Sequence, residues 1–258
     1  MKPVVVIPVY NHEHAIGAVV DQVRAQSLPV ILVDDGCKPS CVAVLQELGK
    51  REQVTLVTRE KNGGKGAAVM SGLEAANKLG FTHAVQIDAD GQHALGDLPK
   101  FLSAAEKNPD AFINGWPQYD ASVPKARLYA RYLTHIWIWI NTLSFAIKDS
   151  MCGFRVYPLN RALAAIVPGI GKRMDFDPEI AVRMVWKGIK VINIPTAVTY
   201  PTDGVSHFDA LWDNVRISGM HTRLFFGMLL RLPILLWRKL PLPRRGEGRG
   251  EGPKSESE

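Results

Sequence analysis

Cysteine is scarce in this chain: Cys37, Cys41 and Cys152 are the three among 258 residues. None has metal-ligand spacing and any one pairing leaves an odd thiol, so a disulfide framework is not expected. Each reads as a small buried hydrophobe. A secretory leader is missing too. The opening "MKPVVVIPVYNHEH" carries one lysine and a short β-branched run that turns polar at Asn11, with no small-residue cleavage site, so a cytoplasmic chain is expected. The GxxxxGK[ST] spacing of a P-loop is absent. Acidic residues are absent between positions 214 and 246, where Arg216, Arg223, Arg231, Arg238, Lys239, Arg244 and Arg245 lie, and this stretch alone accounts for the formal net charge of +6. Its arginines alternate with aliphatic residues rather than with stacking platforms. That pattern favours an anionic membrane surface as partner and argues against nucleic acid.

What is present is ordinary globular material, 47% hydrophobic and 22% charged, with enough length for one large core. "PVVVIPVY" (3–10) and "PVILVDDG" (29–36) are apolar β-branched runs separated by the helical pattern "HAIGAVVDQVRAQ", which makes a βαβ unit. "VAVLQELGKR", "VTLVTRE", "GKGAAVMSGLEAANKLG" and "HAVQID" continue the alternation. A mostly parallel central sheet flanked by helices is therefore expected. Further strands are expected at 109–117 and 190–200, the latter preceded by the helix "PEIAVRMVWKGI". The last residues, "PRRGEGRGEGPKSESE", have almost nothing apolar and read as a disordered tail over 241–258.

Polar residues collect where these strands end, the edge on which open α/β sheets bind ligands. Asp34 and Asp35 can accept hydrogen bonds from a nucleobase or ribose, or cap the next helix. "KNGGKGAA" (61–68) opens a helix, so its N–H groups and Lys65 can face an anion; a glycine turn with a surface lysine explains it equally well. Asp88 and Asp90, two residues apart on extended backbone, point to one side and suit a hard cation such as Mg²⁺ or Mn²⁺, with Gln92 adding a neutral oxygen. His93 is placed outside that ligand set. Arg127, Arg131 and His135 share one helical face, able to hold phosphate. Asp175, Asp177 and Glu179 sit at a helix start, where acids are favoured in any case.

In order, "IPVYN", "VDDG", "NGGKGAA", "QIDADGQH", "DSMCGFR", "FDPEIAVRMVWKGIKVINIP" and "GVSH" resemble the motif series of family-2 inverting glycosyltransferases of the GT-A fold. The likeness is nearest to the polyprenyl- or dolichyl-phosphate sugar synthase branch. It implies an α/β domain over 1–213 that takes a UDP- or GDP-linked sugar as donor. Pro8, Tyr10, Asp34, Asp35 and Lys65 would surround the nucleotide, and Asp88, Asp90 and Gln92 would hold the Mg²⁺ or Mn²⁺ that bridges the diphosphate. Arg131, with Arg127, would meet the acceptor phosphate, and Asp149, Gly153, Phe154, Arg155 and Glu179 fall on acceptor-side positions. Two departures stand out: His12 where the family has an acid, and His207 where it has a lysine. His207 would put a titratable charge near the diphosphate. A phosphate acceptor needs no base, whereas a hydroxyl acceptor needs a carboxylate such as Glu179 or Asp149.

On a helix beginning near Arg216, the four arginines at 216, 223, 231 and 238 fall within an arc of roughly 80°. Arg223 and Arg231 interrupt the apolar run before it reaches the ~20 residues of a membrane span, and Pro233 is expected to kink or split the helix. Basic amphipathic helices over 214–240, lying on the cytoplasmic leaflet beside a lipid-linked acceptor, are the expectation. A helix packed on the core is the alternative.

Overall fold

A computed structural model describes residues 1–118, 125–198, 209 and 211–239, those at 125–130 as backbone alone. His207, its loop, the side chain of Arg127 and the tail at 241–258 lie outside the described residues. The expected alternation is present: β1 (Pro3–Val9), α1 (Ile16–Arg24), β2 (Val30–Asp34), α2 (Pro39–Gly49), β3 (Val54–Thr58), α3 (Lys65–Lys78) and β4 (His83–Gln86). Then come α4 (Leu98–Lys107), β5 (Phe112–Gln118), α5 (Lys125–Thr142), β6 (Arg155–Pro158), α6 (Leu159–Ala165), α7 (Phe176–Trp186), β7 (Val191–Ala197) and α8 (Trp212–Trp237).

The strands form one sheet of seven in the order β3-β2-β1-β4-β6-β5-β7. All pairings are parallel except those of β6, which runs antiparallel to β4 and β5. β1 is central, and its period-2 alternation divides the core. Val4 and Val6 join Ile31 and Val33 on the face covered by α3, α6, α7 and α8. Val5, Ile7 and Val9 join Val30 and Leu32 beneath α1, α2 and α4. Burial on both faces is why these strands read as unbroken apolar runs. α3 lies so close that a Cβ on Gly72 would stand 2.3 Å from Val6 Cγ1.

The sequence reading left 155–158 out of the sheet. All four residues of β6 are buried, and Val156 pairs with both Val85 and Ile113. So short a strand carries too little periodicity to be seen before its partners are known.

α8 is not split at Pro233, which lies inside one continuous helix. Proline removes a single hydrogen bond here, the one to the carbonyl of Leu229, an exposed residue whose oxygen water can satisfy. Ile217, Met220, Leu224 and Met228 bury one face of α8 in the core. Its arginines turn to the protein: Arg216 pairs with Asp213, Arg223 with Glu179, Arg231 covers the Trp186 ring, and Arg238 donates to Trp186 O. Large apolar side chains are exposed on α8 as well, with Phe226 60%, Leu230 83% and Trp237 70% accessible.

Between α5 and α8, His221 is buried, its Nδ1 3.3 Å from Asn141 Nδ2 and its Nε2 without a partner. Burial pulls its pKa down to about 4 from 6.5. The unfolded chain therefore binds the extra proton first, so stability rises with pH between about 4 and 6.5, by about 3 kcal/mol over the window. Melting curves of His221→Leu should show a flatter pH dependence across that window than the parent; an unchanged slope would contradict the assignment.

Candidate active site

The C-terminal edge of β1, β2 and β4 gathers most of the residues singled out from sequence. Val9 is paired with Asp34, and Ile87 N donates to Val6 O at 3.1 Å, so Asp88 emerges beside the end of β1. Pro8 and Tyr10 are half-buried on this edge. Asp34 accepts from Cys37 N at 2.9 Å, which turns the chain from β2 toward α2. Asp35 accepts from Arg59 Nε (2.8 Å), Gly63 N (3.0 Å) and Gly64 N (2.8 Å). The two glycine amides thus face a carboxylate of the protein itself rather than a bound anion. Arg59, not singled out from sequence, also reaches Ala67 O and Ser71 Oγ and ties β3 to α3.

Asp88, Asp90, Gln92 and His93 line a cleft of about 70 Å³ together with Pro117, Arg131, Met151, Cys152, Gly153 and Val198. Asp88 Oδ1 lies 2.7 Å from Lys65 Nζ, and its Oδ2 lies 3.3 Å from His93 Nε2. Burial pushes the Asp88 carboxyl up, but Lys65 and His93 outweigh it and hold it well below the carboxylate range. Asp90 is pushed the other way, by burial and then by the charge of Asp88. Two carboxylates driven apart in this way are a site that a cation would relieve. Gly153 is required here, because a Cβ would stand 2.1 Å from Asp88 Oδ2.

These donors fit a divalent ion. Among the described residues no three His, Cys, Asp or Glu side chains converge as a metal cluster. Two carboxylates and an amide oxygen form a partial shell, of the kind Mg²⁺ completes with water and substrate phosphates. The buried Asp88 Oδ1 has the Lys65 ammonium at 2.7 Å and no other hydrogen-bond partner.

Behind the cleft lies a charged layer that the sequence reading did not find. Lys65 Nζ is also 2.9 Å from Asp177 Oδ2, and Asp177 Oδ1 accepts from Gln86 Nε2 at 3.1 Å. Tyr157 OH donates to Gln86 Oε1 at 2.9 Å. Arg155, fully buried, donates to the carbonyls of Cys152, Ser150 and Asp177 at 2.7, 2.5 and 2.7 Å. It braces the 150–152 turn instead of facing an acceptor. Phe154 is likewise buried, stacked on Phe101 at 4.0 Å. The signal for Asp177 was an acid set between Phe176 and Pro178, hidden because acids at helix starts are common.

Arg131 grips Asp149 with both arms of its guanidinium, Nε to Oδ2 at 2.5 Å and Nη2 to Oδ1 at 2.6 Å. His135 Nε2, one turn along α5, stands 3.3 Å from Oδ2. Asp149 Oδ1 also accepts from the amides of Met151 and Cys152, at 2.9 and 2.8 Å, and so holds the loop that walls the cleft. Burial raises the Asp149 carboxyl, but Arg131 and His135 outweigh it and leave it well below its usual range. Glu179 is fully buried and lies outside the cleft lining. It accepts from Arg183 at 2.6 and 2.9 Å, from Gly171 N at 2.9 Å and from Arg223 at 3.1 Å. It joins α7 to α8.

A family model described as glycosyl transferase family 2 matches residues 4–161. An uncharacterized protein of Methanocaldococcus jannaschii is 28% identical over 212 residues, 79% of this chain and 91% of that one. The polyprenol monophosphomannose synthase of Mycolicibacterium smegmatis is 25% identical over 221 residues, 80% of each chain. Among solved structures, glucosyl-3-phosphoglycerate synthase of Mycobacterium tuberculosis, in complex with Mn²⁺ and UDP-glucose, shares the GT-A fold. Its TM-score is 0.64 over 88% of this chain and 78% of that chain, at 13% identity.

Proposed function

The chain belongs to glycosyl transferase family 2, and we propose that it moves a sugar, with inversion and with a divalent metal, from a UDP- or GDP-linked donor to a polyprenyl phosphate-like lipid acceptor. The observation that carries this reading is a single cleft holding both the Asp88–Asp90–Gln92 edge and Arg131. A cation at that edge would neutralise charge building on the diphosphate as the anomeric bond breaks. Lys65, on the first turn of α3, adds a permanent positive charge from behind, and His207, outside the described residues, would add a titratable one. Pro8, Tyr10, Asp34 and Asp35 border the nucleotide on the β1–β2 side.

Arg131 would orient the acceptor phosphate in the cleft wall. A phosphate attacks as the anion it already is, so no protein base has to take a proton. The geometry favours this over a hydroxyl acceptor. Asp149 is held ionised by Arg131 and His135, and Glu179 is enclosed by Arg183 and Arg223, so both carboxylates are engaged in ion pairs.

A lipid-linked acceptor requires approach to a membrane. No helix among the described residues is long and apolar enough to cross one. Exposed Leu133 and Ile136 on α5, with Phe226, Leu230 and Trp237 on α8, supply apolar side chains for peripheral contact with the cytoplasmic leaflet. Because the arginines of α8 are engaged with the protein, insertion rather than surface charge is the main attraction in this reading. The protein should co-sediment with liposomes, and Phe226→Asp with Leu230→Asp should remain in solution. Equal sedimentation of both would remove the membrane role of α8.

The donor reading is tested by thermal stabilisation with UDP- and GDP-sugars in the presence of Mn²⁺. A ligand at a hundred times its Kd adds about 2.7 kcal/mol to the folded state. Stabilisation by one nucleotide class, lost in Asp90→Ala or on chelation of the metal, is expected. A shift that survives both changes would refute the metal-bridged donor.

A further inference from the structure

Lys65 stands between two acids that belong to different elements, 2.7 Å from Asp88 Oδ1 at the end of β4 and 2.9 Å from Asp177 Oδ2 on α7. The two carboxylates are not equivalent. Asp177 is locked, because its other oxygen accepts from Gln86 and lies 3.5 Å from Arg155, and the residue is 4% exposed. Asp88 is the acid that opens on the cleft, and its buried Oδ1 is held by the Lys65 ammonium with no other hydrogen-bond partner. Neither carboxylate can retreat. Asp88 is backed by Gly153, where not even a methyl group fits, and Asp177 is pinned from behind.

The mobile partner is therefore the ammonium, a compact charge on a four-carbon stem. A cation arriving at Asp88 meets an oxygen already claimed by Lys65. We propose that Lys65 is a built-in competitor for the metal edge, and that Asp177 is the positioning residue that draws the ammonium off Asp88 when a divalent cation binds. This rests on the reading of Asp88 as a metal ligand. With Asp177 present the ammonium keeps a charged acceptor after leaving Asp88. Without it, Lys65 would have to stay on Asp88 or remain buried and unpaired, which is costly.

The proposal predicts opposite signs for two substitutions. Binding of Mn²⁺ alone to the full chain, read as loss of the free-ion signal in electron paramagnetic resonance, needs neither donor nor turnover. Asp177→Asn should weaken Mn²⁺ binding about tenfold, the size of one lost charge-assisted contact. Lys65→Gln should tighten it, since the competitor is gone. In the Lys65→Gln background, Asp177→Asn should cost much less than it does alone, because the two residues act through each other.

Three results would overturn the proposal: weaker or unchanged binding in Lys65→Gln, unchanged binding in Asp177→Asn, or an Asp177→Asn loss that is the same with and without Lys65. If Asp177→Asn fails to fold, Lys65→Gln decides the matter alone. Absence of Mn²⁺ binding by the folded parent chain would sink the metal reading together with this inference, and it is visible before any variant is made.

Discussion

The ammonium of Lys65 joins three parts of the molecule, and much of the site is arranged around it. For Lys65 to reach Asp88 and Asp177 together, the start of α3 must be held close to both β4 and α7. Asp35 does this by taking the amides of Gly63 and Gly64 just ahead of the helix. Gly66 and Gly72 then let the helix lie against Phe176 and Val6, where a Cβ would collide at 2.3 Å in each case. The glycine-rich stretch is explained by close approach within the protein rather than by phosphate cradling. Breaking a buried pair of this kind typically costs about 3–5 kcal/mol, because the remaining charge is stranded.

A second arrangement organises the opposite wall. α5 presents Arg131 and His135 to Asp149, and Asp149 in turn fixes the amides of Met151 and Cys152. Asn114 steadies the same segment, donating to Asp149 O at 2.6 Å. Leu133 and Ile136, on the same helix, are exposed. In the proposed function this gives one helix two duties, a guanidinium toward the reacting phosphate and apolar contact toward the lipid that carries it. Glu179 extends the coupling by binding α8 to α7 through Arg223.

Much of this was legible in the sequence. Local periodicity was enough for the βαβ alternation, and the acids at strand ends fell on the sheet edge where they were expected. What escaped was non-local. β6 acquires its meaning from Gln86 and Asn114, which its Arg155 faces in register. Glu179 looked like a candidate base because, besides the local Arg183 one turn along α7, its partners Gly171 and Arg223 come from segments that only folding brings to it. The arginine face of α8 was real, but the acids that pair with Arg216 and Arg223 lie at Asp213 and Glu179, outside the stretch that was counted. Charge counted along a segment does not reveal where its counter-charges pack.

The central claim is that the cleft brings a sugar nucleotide and an anionic lipid together without a protein base. Its most direct test offers the purified protein a labelled nucleotide sugar, Mn²⁺ and two acceptors in matched vesicles, a polyprenyl phosphate and the corresponding polyprenol. Transfer of the sugar to the phosphate and none to the alcohol is expected. Transfer to the alcohol at a comparable rate, or no transfer to the phosphate with any UDP- or GDP-sugar, would contradict it.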